Sequence, residues 1–228
     1  MISIQNLTVA YGDHNVLNNI SIGFQKGIIH GIVGLNGAGK TTFFNVLAKS
    51  LRPANGLLKL DDHVLAINDT AYLETVNYFY SNITGCEYLK IFKQTNPDFN
   101  LDVLQDYFKL PLNDLVENYS TGMKKKLALL SVLKQDKPVF ILDEPFNGLD
   151  LEANKVLEII ITTLKQKART VFISSHILEP LLTTCDQIHL LENGVFVKTF
   201  EKGDYGKIDD ALFGKLKSQA KQAISNAL

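Results

Sequence analysis

Gly34-Leu35-Asn36-Gly37-Ala38-Gly39-Lys40-Thr41-Thr42 is the stretch on which the fold turns. It matches G-x-x-x-x-G-K-[ST] and stands between two segments of different periodicity. Upstream, Ile28-Ile29-His30-Gly31-Ile32-Val33 is the apolar run that a buried strand requires. Downstream, Phe43-Phe44-Asn45-Val46-Leu47-Ala48 continues as a helix. Glycines at 34, 37 and 39 let the backbone curl so that successive N–H groups point at phosphate oxygens. The helix N-terminus adds its partial positive charge to that nest. Lys40 can reach the β- and γ-phosphates of a nucleotide, and the Thr41 hydroxyl can ligate Mg²⁺. All nine residues from Gly34 to Thr42 are therefore candidate phosphate contacts.

Working outward, the first 30 residues read as strands. Ile2, Ile4 and Leu7 alternate with polar residues, then Val16-Leu17 and Ile20 to Phe24 lead to a turn at Lys26-Gly27. After the loop helix, Arg52 to Gly56 is a turn, and Leu57 to Leu60 with Val64-Leu65 form a hairpin around Asp61-Asp62. From Thr84 to about Gln135 the period becomes helical, through Tyr88, Leu89, Ile91 and Phe92 and then Leu101, Leu104, Tyr107 and Phe108. Strand–helix alternation returns with Val139 to Leu142, a helix over Leu151 to Gln166, and Thr170 to Ser174. Asn193-Gly194 marks a hairpin between Ile188 to Leu191 and Val195 to Val197. The expected fold is α/β: a phosphate-loop NTPase core with a mainly parallel sheet, an N-terminal antiparallel β-subdomain and an inserted helical lobe. The core spans 1–83 and 136–204, the lobe about 84–135, and a helical tail about 205–228.

Composition narrows the function classes. Lys and Arg number 23 against 24 Asp and Glu, so no charge excess argues for nucleic acid or anionic lipid as the main partner. Apolar residues are 46% of the chain, enough for a core, yet no run approaches the ~20 residues that span a bilayer. The first residues carry no basic region followed by an apolar stretch, so no signal peptide is expected. Cys86 and Cys185 lack metal spacing and read as buried thiols of a reducing compartment.

Two further stretches carry chemistry. Val139-Phe140-Ile141-Leu142 ends in Asp143-Glu144, which puts two carboxylates at the strand edge where parallel sheets bind ligands. Asp143 is placed to hold Mg²⁺, and Glu144 to polarise the water that attacks a γ-phosphate. Tyr119-Ser120-Thr121-Gly122-Met123 precedes an apolar helix, with Ser120 as N-cap and Lys124-Lys125-Lys126 as a solvated face. Together with the phosphate loop, these stretches resemble the ATP-binding-cassette (ABC) ATPases, and the resemblance covers nearly the whole chain.

That resemblance implies more. Tyr11 stands where the family stacks an aromatic on adenine, with Val16 beside the same nucleotide. Asn147-Gly148-Leu149-Asp150 resembles the family's D-loop, and His176 its switch histidine at the γ-phosphate. Ser120 and Gly122 would complete the site of a second copy, or of a homologous subunit, in a head-to-tail dimer with two ATP between subunits. Catalysis would rest on Glu144, His176 and Lys40; nucleotide contacts on Tyr11, Val16, Gly34 to Thr42, Ser120, Gly122 and Asp150; Mg²⁺ on Thr41 and Asp143. The implied role is the ATPase subunit of a transporter, on the cytoplasmic face of the membrane through a separate permease, with export favoured by the signature variant. No nucleic-acid partner is implied. The rival is an ABC ATPase that moves nothing, such as a ribosome-associated or assembly factor, or a weakly hydrolysing regulator. Two departures from the family pattern stand out. Tyr119, Thr121 and Met123 replace three of the five residues of Leu-Ser-Gly-Gly-Gln. The glutamine expected after Val76-Asn77-Tyr78-Phe79 is absent, leaving Tyr80, Ser81 and Asn82 in a shortened loop.

Overall fold

The computed structural model describes residues 1–225; the last three residues of the expected tail, 226–228, lie outside the described residues. The chain opens with two long strands, β1 (Ile2–Tyr11) and β2 (His14–Phe24), then β3 (Ile29–Val33) and helix α1 (Lys40–Leu47). Strands β4 (Asn55–Leu60), β5 (His63–Val64) and β6 (Thr70–Leu73) follow, then helices α2 (Gly85–Ile91), α3 (Leu101–Phe108) and α4 (Thr121–Leu133). The chain continues with β7 (Val139–Leu142), α5 (Leu151–Gln166), β8 (Thr170–Ser174), α6 (Leu178–Thr184), β9 (Gln187–Glu192), β10 (Val195–Glu201) and α7 (Ile208–Ser225).

These strands make two sheets. Four pair antiparallel in the order β2-β1-β4-β5, and six pair in the order β10-β9-β3-β8-β7-β6, parallel except for the β9–β10 hairpin. The α/β fold expected from the sequence is the one found. Every residue of β3, β7 and β8 is buried, because parallel strands covered on both faces read as continuous apolar runs rather than alternating ones. One face packs against the antiparallel sheet and α1 through Phe24, Phe43, Phe44 and Phe172. The other packs against α4 and α5 through Leu127, Leu130, Leu157 and Ile161.

Helix starts are set by local chemistry. Asn100, Ser120 and Asp150 accept backbone N–H groups at the N-caps of α3, α4 and α5, and Thr84 with Glu87 forms a capping box at α2. The three lysines read as one solvated face divide: Lys124 and Lys126 stay half-buried, whereas Lys125 is only 5% exposed. Cys185 is buried as expected, but Cys86 is only partly so. One strand has no counterpart in the sequence reading. Thr70–Leu73 adds to the free edge of β7 in register Leu73↔Leu142, which carries the residues after it to the site.

Candidate functional site

Four adjacent parallel strands, β3, β8, β7 and β6, end at the same edge of the sheet. The phosphate loop leaves β3, Asp143-Glu144 leave β7, Ser174-Ser175-His176 end β8, and Glu74-Thr75 follow β6. A cavity of about 380 Å³ lies there, walled by Val16, Asn36 to Thr42, Thr75, Asp143 and Glu144. A larger apolar groove of about 530 Å³ runs between α3 and α5, but residues such as Leu104, Val156 and Ile160 give it no phosphate chemistry. Chemistry rather than size locates the site.

The loop geometry follows from its glycines. Gly39 caps α1 at φ 105°, a region that penalises a side chain, and a Cβ there would lie 2.9 Å from the Leu17 side chain and 3.2 Å from the Val16 carbonyl. Lys40 folds back over the loop, its Nζ donating to the carbonyls of Gly34 at 2.7 Å and Leu35 at 3.3 Å. Burial lowers the Lys40 pKa, while Glu144 and Asp143 pull it back up, so the ammonium sits between backbone dipoles and two carboxylates.

The carboxylates are held differently. Asp143 is buried, with Thr41 Oγ1 donating to its Oδ2 at 2.8 Å and Ser174 Oγ donating to its Oδ1. Glu144 takes φ 50°, rare for a side chain of its size, and its amide donates to Ser174 Oγ at 2.9 Å. Its Oε2 accepts from His176 Nδ1 at 2.8 Å, from the His176 amide at 3.2 Å and from Asn147 Nδ2 at 3.4 Å. Ser174 therefore holds the Asp143 carboxylate and the Glu144 backbone at once. Nothing in the sequence separates it from any other serine ending a strand, and only the parallel register of β7 with β8 brings it there.

The remaining candidates fall in three places. Val16 lines the cavity, whereas Tyr11 closes the β1–β2 hairpin with 53% of its surface exposed and is not among the lining residues. Ser120 and Gly122 also lie outside the cavity of their own chain. Ser120 caps α4, and a Cβ on Gly122 would come within 2.6 Å of the Gly148 carbonyl. Asp150 caps α5 and pairs with Lys126 at 2.9 Å, tying the start of α5 to α4. Tyr80, Ser81 and Asn82 are exposed and do not line the cavity; Thr75 does. Of residues 74–82, Thr75 is the one that lines the cavity.

The donor set fits magnesium nucleotide. Thr41 Oγ1 and Asp143 Oδ2 are hard oxygens 2.8 Å apart beside the phosphate loop, and Mg²⁺ is typically held by one or two protein oxygens plus phosphates and water. Among the described residues no group of three or more His, Cys, Asp or Glu is placed to hold a metal ion.

Comparisons with known proteins identify the family. The family model described as ABC transporter matches residues 17–147. The bacitracin transport ATP-binding protein BcrA of Enterococcus faecalis is 30% identical over 211 residues, covering 87% of this chain and 68% of that protein. The lantibiotic transport ATP-binding protein SrtF of Streptococcus pyogenes is 28% identical over 204 residues, covering 86% and 89%. Among solved structures, an ATP-binding subunit of an ABC transporter superposes with TM-score 0.82 at 26% identity, covering 93% of this chain and 94% of that one. A dimeric ATP-binding cassette with ADP and Pi shares the fold at TM-score 0.78 and 18% identity, over 89% and 99%.

Proposed function

We propose a transport role from one premise: the chain belongs to the ABC transporter family of ATPases. It is the ATP-hydrolysing subunit, working at the cytoplasmic face of a membrane through a separate permease. No helix among the described residues is long and apolar enough to cross a bilayer, and this reading assigns the crossing to the permease. Two copies, or one copy and a homologous subunit, close head to tail on two ATP, and hydrolysis reopens them. The relatives named for bacitracin and lantibiotic transport support this role, and the Tyr119 to Met123 variant favours export.

The observation that carries the reading is the convergence of phosphate loop, Thr41–Asp143 pair and Glu144–His176 pair on one cavity. The amides of Asn36 to Thr42 receive the phosphates. Lys40 exchanges the Gly34 and Leu35 carbonyls for β- and γ-phosphate oxygens, whose full negative charge makes stronger hydrogen bonds. Thr41 and Asp143 would hold Mg²⁺, which when bound would neutralise charge on the phosphates. Glu144, oriented by His176 and Asn147, accepts a proton from the attacking water. His176 then faces the γ-phosphate, Tyr11 stacks on adenine beside Val16, and Ser120 and Gly122 reach the nucleotide of the other subunit with Asp150 at the interface.

Calorimetry with Mg-ATP tests the site. Lys40→Ala should abolish binding, because the loop's other donors are neutral amides; micromolar binding by that variant would remove Lys40 from the phosphates. Reconstitution with a membrane chain of about six spans encoded by a neighbouring gene tests the role. Hydrolysis should rise with the permease present, and turnover indifferent to it would end the transport reading.

A further inference from the structure

Lys125 carries a charge that the phosphate site does not use. It lies less than one turn beyond Gly122 in α4 and is 5% exposed. Its Nζ donates to the carbonyls of Glu74 at 3.0 Å, Asp143 at 3.3 Å and Thr75 at 3.4 Å. An ammonium has three donors and no acceptor, so the buried cation is satisfied by backbone alone.

The acceptors are there because a ladder runs out. β6 and β7 pair as far as Leu73↔Leu142, and the Asp143 amide makes a last bond to the Leu73 carbonyl at 2.9 Å. Past that point the strands part toward the cavity, and the carbonyls of Glu74, Thr75 and Asp143 turn to the lysine. Burial lowers the Lys125 pKa to about 8, and Asp143 and Glu144 act in the opposite direction by favouring the charge. A buried carbonyl left without a donor is costly; that of Asp143 is buried, that of Thr75 partly so, and that of Glu74 also accepts from Asn77 Nδ2 at 3.1 Å.

We propose that Lys125 is a positioning residue that fastens the cavity edge, Glu74-Thr75 on one strand and Asp143-Glu144 on the next, to the start of α4. Thr75 is thereby kept in the cavity wall, and the carboxylates keep their register against Thr41 and Ser174. Because α4 begins at Ser120 to Gly122, Lys125 ties that turn to the edge beyond the apolar packing of α4 on β6. The inference rests on the proposed reading only in taking the cavity as the ATP site.

The test uses the full chain, with Mg-ATP turnover, ATP affinity by calorimetry, and amide exchange resolved over residues 74–77 and 143–145. Lys125→Met should lower kcat by about tenfold or more while ATP affinity stays within about threefold. Exchange should quicken in those two segments and not elsewhere. Lys125→Arg, which keeps charge and donors, should recover most of the rate. Unchanged kcat and exchange in Lys125→Met overturn the proposal. So does equal loss in both variants with exchange raised along the whole chain, the pattern of a general fold defect. If the unaltered chain binds no Mg-ATP, the functional reading fails, and the exchange pattern still decides whether Lys125 holds the edge.

Discussion

At the C-terminal edge of the six-stranded sheet, Asp143, Ser174 and Thr41 gather round a buried carboxylate. In the interior of the same sheet, His30 and His189 lie 0% and 2% exposed among Phe24, Phe172 and Phe196. The interior set is closed. His30 Nε2 donates to the Gln25 carbonyl at 2.8 Å, which makes its Nδ1 the acceptor for His189 Nε2 at 3.0 Å. That leaves His189 Nδ1 to accept from Thr199 Oγ1 at 2.9 Å. The edge set is open. Lys40 makes two carbonyl bonds that a phosphate can outcompete, and the three protein donors to the Glu144 carboxylate all fall on Oε2. Burial and hydrogen bonding are common to both sets; capacity turned toward a cavity is what marks the functional one.

The largest test of this contrast falls on the open set. Glu144→Gln keeps size and the left-handed backbone but removes the proton acceptor, so hydrolysis should slow ~10²–10⁴-fold. ATP should still bind, and a closed dimer should accumulate in ATP on size exclusion. Unchanged turnover would move the base elsewhere and dissolve the distinction drawn at this edge.

A smaller effect is expected at the signature turn, whose residues avoid the cavity of their own chain. Gly122→Asp places a side chain against the Gly148 carbonyl and a charge toward the other subunit's phosphates, so turnover should drop about tenfold or more. The mixing experiment separates a local clash from a shared site. In dimers of Lys40→Ala with Gly122→Asp subunits, a shared arrangement leaves one intact pair of half-sites per mixed dimer. With random pairing, about a quarter of the unaltered rate should return. No recovery would mean that each chain works alone.

The phosphate loop and Asp143-Glu144 were legible because each joins a strand pattern to residue types whose chemistry is specific at that spacing. Ser174, Thr75 and Lys125 were not, for separate reasons. Ser174 acts only across the β7–β8 register. Thr75 depends on Thr70–Leu73 being a strand, and four mixed residues become one only because β7 offers a free edge. Lys125 looked like its neighbours Lys124 and Lys126, since a run of three lysines hides which one points inward. The buried histidines were invisible as well: His30 read as one residue of an apolar strand, and its partner lies 159 positions away.

The closed pair gives the mildest prediction, and its sign is fixed. Burial lowers the pKa of His30 from 6.5 to about 4, and burial with the neighbouring ring lowers that of His189 to about 3. Between those values and 6.5 the unfolded chain binds more protons than the folded one, so stability must fall as pH drops through that window. The contribution is fully present above pH 6.5. At pH 5 each ring should have cost roughly 2 kcal/mol of it. Urea unfolding at pH 7.5, 6 and 5 measures the slope, and the carboxylates with lowered pKa values, such as Asp69 and Asp186, act only below this range. Replacing both rings, His30→Phe with His189→Leu, should flatten the profile even though it leaves the Gln25 carbonyl and Thr199 hydroxyl without partners and lowers stability at every pH. A wild-type profile already flat from 7.5 to 5 would mean that the core accommodates a charged ring, and the line between closed and open polar sets would have to be drawn elsewhere.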